Sequence, residues 1–315
     1  MKNNKLIILL LILVLSSCYR VPNKIEPELT YVVQESYINN LPSAFEPLTE
    51  EEKTQDWGKE CLIATAFAKD FDLYRAISTY KRAEVLVPKD SCRKQEILYN
   101  IILCYYLGKK YENLIEYFER CSLLKADKSF KAFHDLLLML YESYRYIGDK
   151  DKESKILELI NKNYPETGKK LILANTLLEA DLNKTEEIAN TPPIQRDLTQ
   201  MLYIYNKEKK SISKAQMLNA ILPGAGYFYI GQKKSALTSL LLNGLFIAAS
   251  YQFFHKGYVA AGLITLSFEA GWYFGGIYGA GEEAKFYNET VYETHARAVM
   301  NKDKLFPVFM LKYSF

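Results

Sequence analysis

Three regimes of hydrophobic patterning follow one another along the chain. Leu6 to Leu15 is an unbroken aliphatic run behind Lys2 and Lys5. From about residue 49 to 165, apolar residues recur at three- and four-residue spacing, the period of helices with one buried face. Ser235 to Phe254 then carries no charge, and Tyr258 to Ala280 carries only Glu269. Together these predict a mostly α protein: an array of helical hairpins followed by a hydrophobic, glycine-rich helical hairpin. The predicted segments are 1–17 (an export signal), 18–48 (a tether), 49–165 (the array), 166–210 (additional helices), 211–298 (the hydrophobic hairpin domain) and 299–315 (a C-terminal tail).

The first run is too short to span a bilayer, which needs ~20 residues. Charged residues followed by an aliphatic core of this length read as a signal peptide. Leu15-Ser16-Ser17-Cys18 follows at once and resembles the bacterial lipobox. The resemblance implies cleavage before Cys18, lipid on its thiol, and a body exported from the cytoplasm and held at the cell membrane or the outer membrane. Pro22, Pro27, Pro42 and Pro47 interrupt the next stretch, and Thr49-Glu50-Glu51-Glu52 has the form of a capping box opening a helix.

The array shows self-similarity at a period of about 34–38 residues. In its first unit small Ala64, Ala76 and Ala83 let two helices approach, Phe67 and Tyr80 fill the space beside them, and Pro88 closes the second helix. This pattern closely resembles a tetratricopeptide repeat. Leu98 to Cys121, around Gly108, and Leu137 to Pro165, around Gly148-Asp149, match in outline; Leu114, Cys121 and Glu153 stand where the family prefers alanine. The resemblance implies a concave groove lined by the first helix of each repeat. Its candidate residues are Cys61, Thr65, Tyr99, Leu103, Tyr106, Glu142, Arg145 and Tyr146, with a protein or peptide in the cell envelope as partner.

In the last regime Pro223-Gly224-Ala225-Gly226-Tyr227-Phe228-Tyr229-Ile230-Gly231 leads into the apolar hairpin. It is similar to small bacterial membrane domains carrying Pro-Gly-x-Gly-x-x-Tyr-x-Gly, which implies membrane association. A buried hairpin packed within a soluble body is the alternative reading. Tyr227 and Tyr229 suit a membrane–water boundary. Glu269 is an acid within an apolar segment, and Asn243 on the facing segment is its candidate partner. Leu305 to Phe315 partly alternates, yet no run of alternating strands precedes it, so a barrel is not expected.

Composition narrows the function classes. The net charge of +3 is too small to point to nucleic acid. His134, His255 and His295 share no ligand spacing, and neither a GxSxG elbow nor a phosphate loop occurs. No metal, cofactor or catalysis is expected. Cys61, Cys92, Cys104 and Cys121 form no CxxC pair; small apolar packing residues are the first reading for them and disulfides the second. The leading functional expectation is a lipid-anchored envelope adaptor working through the groove. The alternatives are an accessory subunit of a membrane assembly or transport complex working through the hairpin, and a structural surface lipoprotein.

Overall fold

The structure is a computed structural model that describes residues 20–32, 34–89, 91–189 and 195–315. Cys18, the aliphatic run before it and Pro192-Pro193 lie outside the described residues. The described chain is mostly α-helical and has no β-strand, only a parallel bridge between Ser43 and Ser314. It divides into two compact units. An array unit comprises Thr30–Asn175 and Met300–Phe315, and a hairpin unit comprises Met1–Leu29 and Thr176–Val299.

The array unit begins with a short α1 (Glu35–Asn39) and α2 (Glu50–Thr54). Thr49 and Glu52 form the capping box, each side chain bonding the other's backbone amide. Helices α3 (Asp56–Lys69) and α4 (Leu73–Leu86) then fold back on one another, followed by α5 (Arg93–Leu107) with α6 (Tyr111–Arg120), and α7 (Phe133–Ile147) with α8 (Lys150–Asn163). Ala64, Ala76 and Ala83 are fully buried and Tyr80 nearly so, which is where two helices approach closely. Leu98, Ile101, Ile102 and Leu114 do the same work in the second pair, and Leu137, Leu140, Tyr141 and Ile160 in the third. Glu153 is buried and its carboxylate meets Lys150 at 2.9 Å, so an ion pair stands where the first unit uses Ala76.

Each reversal uses the same local device. Phe71, Lys109 and Gly148 take left-handed backbone conformations between the paired helices. Asp72 and Asp149 follow two of them as N-caps, accepting the amides of Arg75 and Lys152. The device recurs after α9 (Pro165–Leu178), where Ala180 is left-handed and Asp181 accepts the amide of Lys184 at the start of α10 (Leu182–Ala189). A fourth reversal of the same kind therefore exists in residues that show no alignable repeat. Its sequence trace is short: an Asp with a basic residue three positions on, whose amide it caps.

Residues 30–48, expected as tether, are tied into the array unit. Ile38 and Ala44 are buried, and Arg93 donates to the carbonyls of Glu46 and Pro47 at 2.6 and 3.0 Å. The chain's end, 305–315, is also core: Leu305, Phe306, Val308 and Leu311 are buried around a 3-10 turn at Pro307–Met310.

The hairpin unit contains α11 (Gln195–Glu208), α12 (Ile212–Ile221), α13 (Ala225–Ile230), α14 (Lys233–His255) and α15 (Val259–Lys302). Residues 20–29 run extended beside α15, with the amides of Glu26 and Glu28 donating to the carboxylates of Glu289 and Glu293 at 2.9 and 2.7 Å. Val21 joins Ile212, Ala215, Ile230 and Ala284 in one apolar cluster. Helix α15 runs well past Ala280, where the apolar segment ends. Its continuation keeps a helical stripe of buried positions at Ala284, Asn288, Val291, Tyr292, Ala296 and Val299.

Candidate functional site

Two features of the sequence point to function, and each lies within one unit. In the array unit the groove candidates fall on the first helices of the three pairs: Cys61 and Thr65 on α3, Tyr99, Leu103 and Tyr106 on α5, and Glu142, Arg145 and Tyr146 on α7. Tyr106 and Glu142 are brought together in a hydrogen bond. Thr65 instead bonds the Tyr80 hydroxyl at 2.9 Å, and Arg145 donates to Asn175. Tyr146 is exposed and packs against Tyr111 in a tilted pair, 4.7 Å between ring centroids. Cys61, Tyr99, Leu103 and Tyr106 are buried.

Tyr99 and Tyr106 are covered by segments of this chain outside the paired helices. Phe45 and Phe130 close over Tyr99 at 5.7 and 6.1 Å. The Tyr31 hydroxyl donates to Glu142 at 3.0 Å, while its ring packs tilted against Phe306, 4.7 Å between centroids. Tyr37 packs edge-on to Phe309 and donates to its carbonyl at 2.9 Å. Fully buried Asp135 on α7 accepts the backbone amides of Lys312 and Tyr313, both at 2.8 Å, and meets His134 at 2.7 Å. The Ser314 amide donates to the Pro42 carbonyl at 2.9 Å. The two segments thus pair with each other and lie over α5 and α7 as an intramolecular strap.

Tyr31, Phe45, Asp135 and Phe306 were outside the groove expectation. The density of aromatic residues in 30–48 and 305–315 was the available signal. Burial raises the Glu142 carboxyl above the ordinary range, and the hydroxyls of Tyr106 and Tyr31 oppose that rise. The four described cysteines are free thiols. Burial, reinforced by Glu96, pushes Cys61 up to about 12, so it is not a nucleophile at neutral pH.

In the hairpin unit the glycine-rich turn shows why its residues are what they are. Gly224 sits at φ +94, and a Cβ there would collide with the Ala236 carbonyl. A Cβ at Gly226 would collide with the Ala215 carbonyl. Pro223 lies in the turn after α12, and buried Asn219 accepts the Gly224 amide at 2.8 Å, latching α12 to that turn. Gly231 turns the chain into α14 at φ +100. The Tyr229 ring carries the ammonium groups of Lys214 and Lys210 at 4.9 and 5.4 Å. The Tyr227 hydroxyl approaches the backbone at Gly279.

Helix α14 is inside out. Its buried residues are Ala236, Ser239, Asn243 and Ser250. Leu237, Leu241, Leu245, Ile247 and Tyr251 are each more than half exposed, as are Leu263, Ile264 and Phe268 on α15. Among the described residues α14 is the one helix long and apolar enough to cross a bilayer. Glu269 is buried, and neither its Oε2 nor Asn243 Oδ1 has a hydrogen-bond partner; the Asn243 amide donates to the Ser239 carbonyl at 2.6 Å. The close approaches of Gly262 to Phe254 and of Gly276 to Ser239 set an antiparallel register. In that register Glu269 falls roughly level with Phe246 and Ile247, a turn from Asn243 and from Ser250. The structure therefore puts Asn243 and Glu269 in one polar seam without pairing them directly. No family model matches the chain, and no curated protein or solved structure matches it at a significant level.

Proposed function

We propose that the protein is a lipid-anchored adaptor of the cell envelope whose hairpin, α14 with the first half of α15, enters the bilayer. The inside-out hairpin carries this reading. In water, burying Ser and Asn while exposing Leu, Ile and Phe reverses the favourable sorting; in hydrocarbon it is the favourable one. Helix α14 is ~35 Å long at 1.5 Å per residue, against ~30 Å of hydrocarbon. Lipid on Cys18 supplies a second attachment, as stable anchoring by acyl chains requires.

The repeat-like pattern, with its alanine approach points and recurrent turns, supports a tetratricopeptide-like module for a protein or peptide partner. The strap of 30–48 and 305–315 already lies over Tyr99 and Tyr106. A partner reaches these tyrosines by displacing the strap, and otherwise binds an outer face such as that around Tyr146. Confinement of both partners at one membrane would raise their effective concentration.

The test is local to the hairpin. Trp57 and Trp272 are the two tryptophans of the chain. With Trp57→Phe in the full chain, Trp272 alone reports the surroundings of α15. In vesicles with brominated acyl chains its fluorescence should fall by half or more. Emission unchanged from that in unbrominated vesicles refutes insertion.

A second reading, in which the hairpin is the working part of a membrane assembly or transport complex, is favoured by the buried Glu269 Oε2 and Asn243 Oδ1, which have no hydrogen-bond partner. Glu269→Gln abolishing function in a folded chain would select it. Loss of function from Tyr99→Ala with Tyr106→Ala would select the groove.

A further inference from the structure

A cleft of about 540 Å³ opens between α13, α14 and α15, lined by Tyr227, Lys234, Ser239, Trp272, Gly275 and Glu283 among others. Its floor is bare helix backbone, because a Cβ at Gly271 or Gly275 would meet nothing within 4 Å. Ser239 is 7% exposed, and its Oγ, on the cleft wall, has no hydrogen-bond partner. Lys234 and Glu283 also line the cleft, and Glu283 accepts from Gln232 at 3.2 Å. Glu282, Lys285 and Glu289 line the adjoining hollow, which shares Tyr227 and Glu283; Lys285 pairs with Glu289 at 3.8 Å, which leaves Glu282 and Glu283 as its carboxylates without an ion pair among the described residues.

We propose that this cleft holds one phospholipid with a phosphoethanolamine head, the phosphate toward Lys234 and Ser235, the ammonium toward Glu283 and Glu282, and an acyl chain over Gly275 and Gly271. The proposal rests on the membrane reading above. Two opposite charges lining one cleft suit a zwitterion better than a singly charged head. Position along the helix fits as well. Glu283 is at the end of the apolar stretch, where the boundary with water lies, and Gly271 is ~18 Å deeper by helical rise, close to the ~15 Å of one hydrocarbon leaflet. Trp272 and Tyr227 flank the path with rings that tolerate both media.

Native mass spectrometry of the full chain, extracted in mild detergent and offered equimolar phosphatidylethanolamine, phosphatidylglycerol and phosphatidylcholine, tests it. One phosphatidylethanolamine should remain per chain, favoured about tenfold over phosphatidylglycerol, the scale of one partly desolvated ion pair. Gly275→Leu fills open space and should reduce retention to background. Glu283→Gln should erase the preference between these two lipids, and Lys234→Gln should weaken retention of both. The Glu283→Gln and Lys234→Gln variants, neither at a buried position, decide the matter if the leucine variant misfolds. Equal retention of all three lipids by native and Glu283→Gln chains means adventitious surrounding lipid only, and overturns the proposal. So does a lipid-free pair of chains, in which a second copy occupies the cleft. Trp272 quenching separates the two failures: a quenched chain without selective lipid loses the cleft proposal alone, and an unquenched chain loses the membrane reading.

Discussion

Asp135 holds the end of the chain over the array, and its removal has a calculable effect. One carboxylate oxygen takes the amides of Lys312 and Tyr313, both at 2.8 Å, and the other meets His134. The site is fully buried. Bonds to a charged acceptor contribute ~1.5–3 kcal/mol each, and an orphaned buried amide costs on the same scale, so Asp135→Ala should lose about 3–5 kcal/mol. Asp135→Asn keeps an oxygen in place and loses only the charge, so about 1–2 kcal/mol is expected. Because the two units need not unfold together, a global melt is the wrong readout. Hydrogen exchange at Lys312 and Tyr313 reads opening of the strap directly. Protection there should fall roughly 100- to 1000-fold in the alanine variant and about tenfold in the asparagine variant, at ~1.4 kcal/mol per decade. Protection unchanged in Asp135→Ala, or equal loss in both variants, refutes the view that this carboxylate pins the strap by charge-assisted bonds.

Three further outcomes follow from the same geometry. Gly224→Ala should cost roughly 3 kcal/mol or more, since it adds a backbone collision to a left-handed φ, whereas Gly231→Ala, at φ +100 in open space, should cost only ~1–2 kcal/mol; thermal melts of the two variants give the ranking. Glu142 binds its proton more tightly folded than unfolded, so native stability is full below the unfolded carboxylate value of ~4.3 and declines as pH rises; Glu142→Gln should therefore gain in melting temperature relative to the native chain as pH goes from 5 to 8. Arg93 holds the Glu52 carboxyl down to about 2, a contribution present above the unfolded value of ~4.3 and lost as pH falls through about 2. Arg93→Lys keeps the charge but not the fork that also binds the carbonyls of Glu46 and Pro47, so denaturant melts at neutral pH should show a loss of ~2–3 kcal/mol, and an acid titration should show that loss shrinking below pH 4.

Much of the helical architecture was legible in the sequence because it depends on local rules. The capping box at Thr49 needs only Thr49 and Glu52, and it forms as read. Alanines at 64, 76 and 83 mark where helices touch, because only a small side chain permits that spacing. Gly224 and Gly226 announce a close turn through the absence of a Cβ. The fourth reversal at Ala180-Asp181 is not legible in the sequence, because an Asp cap is a weak signal without a flanking repeat.

The candidate groove was only half legible. Its residues sit on the helices expected of them, but what covers them was invisible, since the strap is extended chain and short helical turns, too brief for a period to show. Residues 30–48 and 305–315 are joined across more than 250 positions of sequence, through single bonds such as Ser314 to Pro42. No local pattern encodes so distant a partner. The same holds for the hairpin: composition predicts an apolar pair of helices, but which faces turn inward is a tertiary fact. That Ser239, Asn243 and Glu269 lie inside while leucines lie outside follows from the register that Gly276 and Gly262 allow. The sequence by itself determined the helices, their ends and their small-residue contact points, because these rest on interactions within a few residues. Only the tertiary structure decided what covers Tyr99 and Tyr106 and which faces of the hairpin turn inward, because those depend on which distant surfaces meet.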